Sequence, residues 1–189
     1  MVQKAIAFCT LLLFTIAAAG CGGSSPPSSQ SIKSTINSQS KKTGMAWNSS
    51  EPDIAKNGNL AVAVSLLKPL NDASIRGMAV SADPATVKDT PKNYYGKMLK
   101  IKGEVIDVRD YAADSDVVKA LGGRASQVIL TSGNAILVNF IYLGQSSDIL
   151  VGDDVMIFGY PVGTAAVEGS NAKATALALV GKAFDRTPN

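Results

Sequence analysis

Few side chains in this sequence are suited to catalytic chemistry. The chain contains no histidine, which excludes Ser-His and Cys-His nucleophilic systems and histidine-ligated zinc or haem. The nearest carboxylate pair, Glu104 and Asp107, is expected to be solvated strand charge, and Gly122-Gly123 lacks the lysine of a phosphate-binding loop. We therefore predict that the chain is not an enzyme and holds no cofactor. A hydrolase that works without histidine is the open alternative.

The two cysteines are the remaining reactive groups. Residues 1–20 combine Lys4 with an uncharged, mainly apolar run over 5–19 that is shorter than the roughly 20 residues of a spanning helix, as is typical of a signal peptide. Cys9 lies inside this segment, whereas Cys21 follows it directly. Removal of the signal peptide leaves Cys21 as the single cysteine, which excludes a disulfide within the mature chain.

The sequence Ala18-Ala19-Gly20-Cys21 resembles the lipobox of bacterial lipoproteins. The resemblance implies cleavage before Cys21, lipidation of its thiol, and a place in the cell envelope on the extracytoplasmic side of a bacterial membrane. Each buried methylene of an acyl chain contributes about 0.8 kcal/mol, so such a lipid anchors the protein without a spanning helix. The alternative is an ordinary secretory signal followed by a chance cysteine.

The segment that follows, residues 21–53, is predicted to be a flexible, disordered tether. It consists largely of Ser, Pro, Gly, Gln, Asn and Lys, a composition that buries too little apolar surface to offset the entropy of ordering. Trp47 is the one side chain in it that is a candidate for docking onto a folded surface.

Residues 54–93 are predicted to form a connector with short helices. Within it, residues 60–67 are apolar on nearly all sides, so periodicity leaves helix and strand equally open. Asp83-Pro84 is typical of a helix N-cap followed by proline at the first helical position.

Residues 94–110 show the longest strand-like alternation in the chain. The next apolar residue after Val105 comes one position early, at Ile106, so we expect the apolar side of the strand to change faces there and Val108 to point inward. Gly103 beside this change permits a bulge. The pattern predicts the first strand of a small barrel, bending from one sheet into the other.

Four further strands are expected downstream. They are residues 127–131, 135–143, 155–159 and 173–182, with one helical turn at 146–150 between the third and fourth barrel strands. Strand 135–143 is apolar on both faces, which indicates that its outer face is covered. We favour cover by the chain's own 60–67 segment over a partner or ligand.

Three aspartates after the first strand raise the question of a calcium site. Asp110, Asp114 and Asp116 lack the ligand spacing and central glycine of an EF-hand loop. We predict instead that the residues around Ser115 cap a short helix ending at Gly122-Gly123, with no bound metal.

Several motifs carry a second resemblance. Tyr95-Gly96-Lys97, the strand end Gly103-Glu104-Val105, and the run VGDDVMIFG over 151–159 resemble the tRNA-anticodon-like OB domains of secreted bacterial proteins. The resemblance covers roughly residues 81–184 and implies a mainly β fold, a five-stranded OB-fold barrel with short helical elements. We place this OB-fold domain over residues 94–185. These motifs are structural and not catalytic.

The charge of the predicted barrel argues against nucleic acid as a partner. Residues 94–189 contain nine lysines and arginines against ten aspartates and glutamates. Affinity for phosphate backbones comes from a basic surplus, which this domain lacks.

We therefore predict a lipid-anchored OB-fold binding or assembly module of the cell envelope, with the membrane and an envelope protein as partners. A single-stranded nucleic-acid-binding barrel is the alternative from a different class. Barrels of this type bind ligands across the second and third strands and the adjoining loops. On the expectation that they are exposed near long loops, the predicted contact residues are Arg109, Tyr111, Asn139 and Tyr160.

Overall fold

The computed structural model describes residues 46–168 and 173–187. The predicted signal peptide, Cys21 and most of the predicted tether lie outside the described residues. Within the described part, no helix is both long and apolar enough to cross a membrane.

Five long strands form the body of the fold. They are β2 (Leu99–Asp110), β3 (Ser126–Ser132), β4 (Ile136–Tyr142), β5 (Asp154–Glu168) and β6 (Lys173–Arg186). The strands follow the order β2-β3-β4-β6-β5, and β2 also pairs with β5, so the sheet closes on itself. Every pair in the ring is antiparallel except β4 with β6. The predicted mainly β, five-stranded barrel is confirmed.

Strand β2 serves both sides of the barrel by changing partner along its length. It pairs with β5 as far as Glu104 and with β3 from Glu104 onward. The register with β3 shifts between Val105 and Asp107, which confirms the predicted bulge. The expected change of face is wrong, because Ile106 is the inserted residue and is 43% exposed, and Val108 returns to the same interior as Val105.

The barrel interior is filled by alternating side chains from all five strands. Fully buried members include Leu99, Val105, Leu130, Phe140, Ile157, Leu177 and Leu179. Each large apolar side chain that is fully buried contributes about 1.5–3 kcal/mol relative to an exposed one. This layer is what holds the ring closed.

Three helices cover the outside of the barrel: α1 (Ile54–Asn57), α2 (Asn59–Leu67) and α3 (Asp72–Met78). The apolar segment 60–67, for which the sequence leaves helix and strand open, is thus part of helix α2. This helix packs against β5 and β6. In the outer core cluster, Leu60, Ala63 and Leu67 of this helix join apolar residues of β4, β5 and β6. The chain's own 60–67 segment therefore covers the outer face of β5 and β6. It shares one apolar cluster with Ile141 of β4, the strand whose outer face it is expected to cover.

One end of the barrel is closed by the segment that leads into it. Asp83 caps α4 (Pro84–Asp89) by accepting a hydrogen bond from the Thr86 backbone amide, 3.1 Å away. Val87 of this helix is fully buried within the interior cluster. A 3-10 turn, Pro91–Tyr94, and the two-residue strand β1 (Val80–Ser81), parallel to β2, complete this connector.

The connections between barrel strands follow the sequence in part. The helix α5 (Asp116–Leu121) lies between β2 and β3, with Ser115 at its N-cap and the left-handed Gly122 at its C-cap, as predicted. Between β4 and β5, where one helical turn is expected, the chain forms a four-residue hydrogen-bonded turn and no helix. The Ile149 amide donates to the Ser146 carbonyl across 2.8 Å.

Strands β5 and β6 extend beyond their predicted ends. Gly159 was expected to terminate β5, but the strand continues to Glu168, with register shifts against β6 at Phe158/Tyr160 and Pro161/Gly163. Gly163 has φ +130°, and a Cβ there would overlap the carbonyl oxygen of Pro52. Glycine in this strand marks irregular pairing and the close approach of another backbone.

That approaching backbone is residues 46–53, here called the N-terminal arm. The Thr164 amide donates to the Pro52 carbonyl across 2.7 Å. The Trp47 ring stacks on Tyr95, with centroids 5.3 Å apart, and lies 6.3 Å from Tyr160. Trp47 therefore docks on the barrel, and the predicted flexible tether cannot extend to residue 53.

Buried asparagines hold the N-terminal arm in place. Asn57 donates from Nδ2 to the Val162 carbonyl, 2.7 Å away. Asn59 donates from Nδ2 to the Asn48 carbonyl across 3.1 Å and accepts from the Asn48 amide across 2.8 Å. Buried amides that are satisfied in this way fix one arrangement of the chain.

Candidate functional site

The four predicted contact residues do not share one exposed surface. Arg109 lies on β2, with its Nε 2.9 Å from the Asp107 carboxylate and its side chain 38% exposed. Tyr111 follows at the end of that strand, and its hydroxyl is buried with no hydrogen-bond partner among the described residues. Burial raises the pKa of Tyr111 to about 12, although the nearby Arg109 charge works in the opposite direction.

The other two predicted contacts are buried, so their expected exposure is wrong. Asn139 is 1% exposed and Tyr160 is 4% exposed. Asn139 accepts a hydrogen bond from Gln127 across 3.3 Å, and its own Nδ2 has no partner among the described residues. Tyr160 belongs to the core cluster beneath the helices. A partner cannot reach either side chain without displacing the chain's own cover.

The face that OB barrels generally use for binding is closed in this molecule. The outward residues of the second and third barrel strands, β3 and β4, are buried: Gln127 at 7%, Ile129 at 3%, Asn139 at 1% and Ile141 at 1% exposure. The doubly apolar pattern of β4 signalled this cover in the sequence. A ligand or partner must therefore be sought on another surface.

A cleft of about 750 Å³, open to solvent, lies on the outside of β2. The pairing of β1 with β2 ends at Ser81 and Lys100, and that of β3 begins at Thr131 and Glu104. Residues 101–103 of β2 thus lie in a gap between two neighbouring strands. We call this cavity the β2 cleft.

Charges of both signs line the β2 cleft. Lys100, Lys102, Glu104 and Asp154 all face it. Lys102 Nζ lies 3.2 Å from Asp154 Oδ2, with the two side chains 51% and 35% exposed, so this ion pair is largely solvated. The lining favours a ligand that itself carries both charges and polar groups, and gives no surplus of either sign.

The rim of the β2 cleft is a tight turn with unusual backbone angles. The Ile136 amide donates to the Gly133 carbonyl across 3.0 Å, and the two residues between them, Asn134 and Ala135, have φ of 38° and 59°. Positive φ at both central positions is the type I′ hairpin geometry. Beside it, Ser132 Oγ donates to the Lys102 carbonyl. The turn and the strand are thereby held in a fixed relation.

Sequence reasoning missed the β2 cleft. The alternation of Lys100, Lys102 and Glu104 marked the outward row of β2, but it gave no sign that β1 would stop after two residues. The gap arises from pairings between segments distant in sequence, and only the three-dimensional register reveals it.

Asp110 is engaged by serines. Its Oδ1 accepts from Ser126 Oγ at 2.5 Å, from Ser146 Oγ at 2.6 Å and from the Ser146 amide at 3.1 Å. Desolvation raises the pKa of this carboxyl, but the hydrogen bonds from Ser126 and Ser146 outweigh it and hold the pKa below its usual range. Among the described residues, no group of three acidic, cysteine or histidine side chains is placed to hold a metal ion.

Comparison of the sequence with family models and with curated proteins gives no match.

Proposed function

We propose that this chain is a lipid-anchored binding module on the extracytoplasmic side of a bacterial membrane, and that it holds another envelope protein in the β2 cleft. The observation that carries the proposal is the gap beside residues 101–103 of β2, which lies under an open cleft of about 750 Å³. An extended peptide segment can lie in such a cleft with its side chains against the charged lining. Because the Lys102 carbonyl is already bonded to Ser132, recognition rests on side chains more than on main-chain hydrogen bonds to β2.

The mixed charge of the cleft supports a protein ligand. Lysines 100 and 102 face the same space as Glu104 and Asp154. Charged groups of both signs set register and orientation at a protein interface more than they set affinity. A peptide with alternating acidic and basic side chains fits this lining, whereas a uniform polyanion meets two carboxylates.

The anchor follows from the resemblance at Cys21. Replacement of Cys21 by Ala should move the chain from the membrane fraction to the soluble envelope fraction. Retention of this variant in the membrane fraction contradicts the anchoring proposal.

Two observations weigh against the nucleic-acid alternative. The usual binding face of the barrel is covered by the chain itself, and the cleft carries as many acidic as basic side chains. Fluorescence anisotropy with a labelled single-stranded oligonucleotide at two salt concentrations tests this point. We expect no binding at low salt, and tight binding that weakens with salt would favour the alternative.

Site-specific photo-crosslinking in intact cells tests the cleft directly. A photoreactive residue at Asn134, on the exposed rim of the cleft, should capture one dominant envelope protein. The matched control is a photoreactive residue at Ala73, which is exposed on α3 and does not line the cleft. Equal capture of the same protein from both positions, or no capture from Asn134, would reject the cleft as the binding site.

A further inference from the structure

A second cavity lies on a different part of the surface, where α2, α5 and β6 meet. It has a volume of about 290 Å³, and three cationic side chains line it: Lys68 after α2, Arg124 after α5 and Lys182 on β6. No carboxylate belongs to its lining. We call this cavity the basic pocket.

The positive charge of the basic pocket is not neutralised by ion pairs of the described chain. Neither Lys68 nor Lys182 takes part in a salt bridge among the described residues, and Arg124 Nη1 donates to the neutral Gln145 Oε1. Asp110 interacts electrostatically with Arg124, and its Oδ1 is occupied by two serines. Three like charges that line one cavity make an anion the favourable occupant.

The remainder of the lining is largely apolar. Leu67, Leu121 and Leu143 form its floor, together with Val64. An inorganic anion would leave this floor in contact with water, whereas a hydrocarbon segment attached to the anion would cover it. The volume accommodates a head group with a short length of chain, since it equals about ten water molecules at roughly 30 Å³ each.

From these observations we infer that the basic pocket binds the phosphate group of an amphiphile. The three cations bind the phosphate oxygens, and the first methylenes of the attached chain pack on the leucine floor. Charge-assisted hydrogen bonds from lysine and arginine are the common means of holding phosphate in proteins. This inference goes beyond the proposed function and does not depend on the β2 cleft.

Calorimetric titration of the full chain provides the test. The probe is dihexanoylphosphatidic acid below its critical micelle concentration, with inorganic phosphate and dihexanoylphosphatidylcholine as comparators. We expect the phosphatidic acid to bind more tightly than either comparator. Equal affinity for inorganic phosphate would overturn the role of the apolar floor, and equal affinity for the phosphatidylcholine would overturn the role of the charge.

A pair of double variants keeps the test specific. Lys68→Gln with Lys182→Gln should weaken binding at least about tenfold, since each lost charge-assisted hydrogen bond is worth that much or more. Lys92→Gln with Lys119→Gln removes the same charge from exposed positions outside the pocket and should leave affinity unchanged. Equal loss in both variants, or no measurable binding to the unmodified chain, would refute the basic pocket as the site.

The source of the phosphate is settled by a competition arm. If vesicles containing phosphatidic acid displace the soluble probe, the pocket binds lipid head groups in a bilayer. If they do not displace it, the pocket binds a free amphiphile. Both results support an amphiphile in the basic pocket, provided that vesicles of phosphatidylcholine do not compete. Competition by those neutral vesicles would contradict it.

Discussion

Two titratable residues at the end of β2, Asp110 and Tyr111, have opposite environments. The carboxylate of Asp110 is stabilised by three hydrogen bonds from Ser126 and Ser146. The neighbouring hydroxyl of Tyr111 is buried without a partner among the described residues. Of these two adjacent residues at the end of β2, Asp110 therefore stabilises the folded state through its charged group. Tyr111 lowers stability through an unsatisfied polar group.

Replacement of Asp110 by Asn should lower the free energy of unfolding at pH 7 by about 1 kcal/mol, at the low end for hydrogen bonds to a charge because the residue is exposed. The pKa of Asp110 is lowered in the folded state, so its contribution is present above the unfolded value and is lost as pH falls through the folded value. Urea unfolding at several pH values should therefore show the variant approaching the unmodified chain below about pH 4. A constant difference at all pH values would contradict this assignment.

Replacement of Tyr111 by Phe should leave stability unchanged or raise it by about 1 kcal/mol, because an unsatisfied buried hydroxyl is removed without loss of the ring. Burial raises the pKa of this group to about 12, whereas in the unfolded chain the hydroxyl ionises near pH 10. The unmodified chain therefore loses stability as pH rises from about 10 toward 12. The variant should lose less stability than the unmodified chain over that interval of alkaline pH. A destabilised variant at pH 7 would show that the hydroxyl has a partner.

Among the elements, α2 covers part of the outer face of the barrel. It contributes the outer core that buries β5 and β6, and it removes the outer apolar surface from contact with partners. Arg76 of α3 strengthens the attachment, since it pairs with Asp185 of β6 and lies 5.0 Å from the centre of the Phe158 ring. The helices thus stabilise the barrel and cover the outer face of β5 and β6.

Substitution of a buried leucine in α2 tests whether this helix stabilises the barrel. Leu67 is fully buried, and replacement by Ala should cost about 2–5 kcal/mol through lost transfer energy and a cavity. The matched control is Leu66→Ala on the same helix, where the side chain is only half-buried and a smaller loss is expected. Thermal or urea unfolding measures both. Equal losses would show that α2 is not oriented with Leu67 toward the barrel.

Some helices and strands could be predicted from the sequence, and others could not. Alternation and capping residues predicted the five strands, the bulge after Val105 and helix α5, because each is decided by neighbours in the sequence. The end of β5 was missed because Gly159 resembles a terminator, whereas it lies at a shift in register against β6. Alternation along a strand does not show that Asn139 and Tyr160 are buried, because burial depends on what packs against the strand. For Tyr160 this includes Trp47 of the N-terminal arm, which is distant in sequence.

At the scale of the whole molecule, the chain separates its structural and binding surfaces. The outer face of β4, β5 and β6 is used for the fold, while the outside of β2 remains open as the β2 cleft. The basic pocket occupies a third region, at the junction of α2, α5 and β6. The two proposed ligands, a protein and a phosphate-bearing amphiphile, are thus assigned to separate cavities and need not compete.

The proposed function requires that the partner binds at the β2 cleft and not at the covered face. Hydrogen exchange of the chain, alone and with the purified protein captured from Asn134, tests this claim most directly. We expect added protection to be confined to residues 100–104 and 131–135, because these line the cleft. Protection centred on the covered residues 127–129 and 139–141, with residues 100–104 unchanged, would contradict the account.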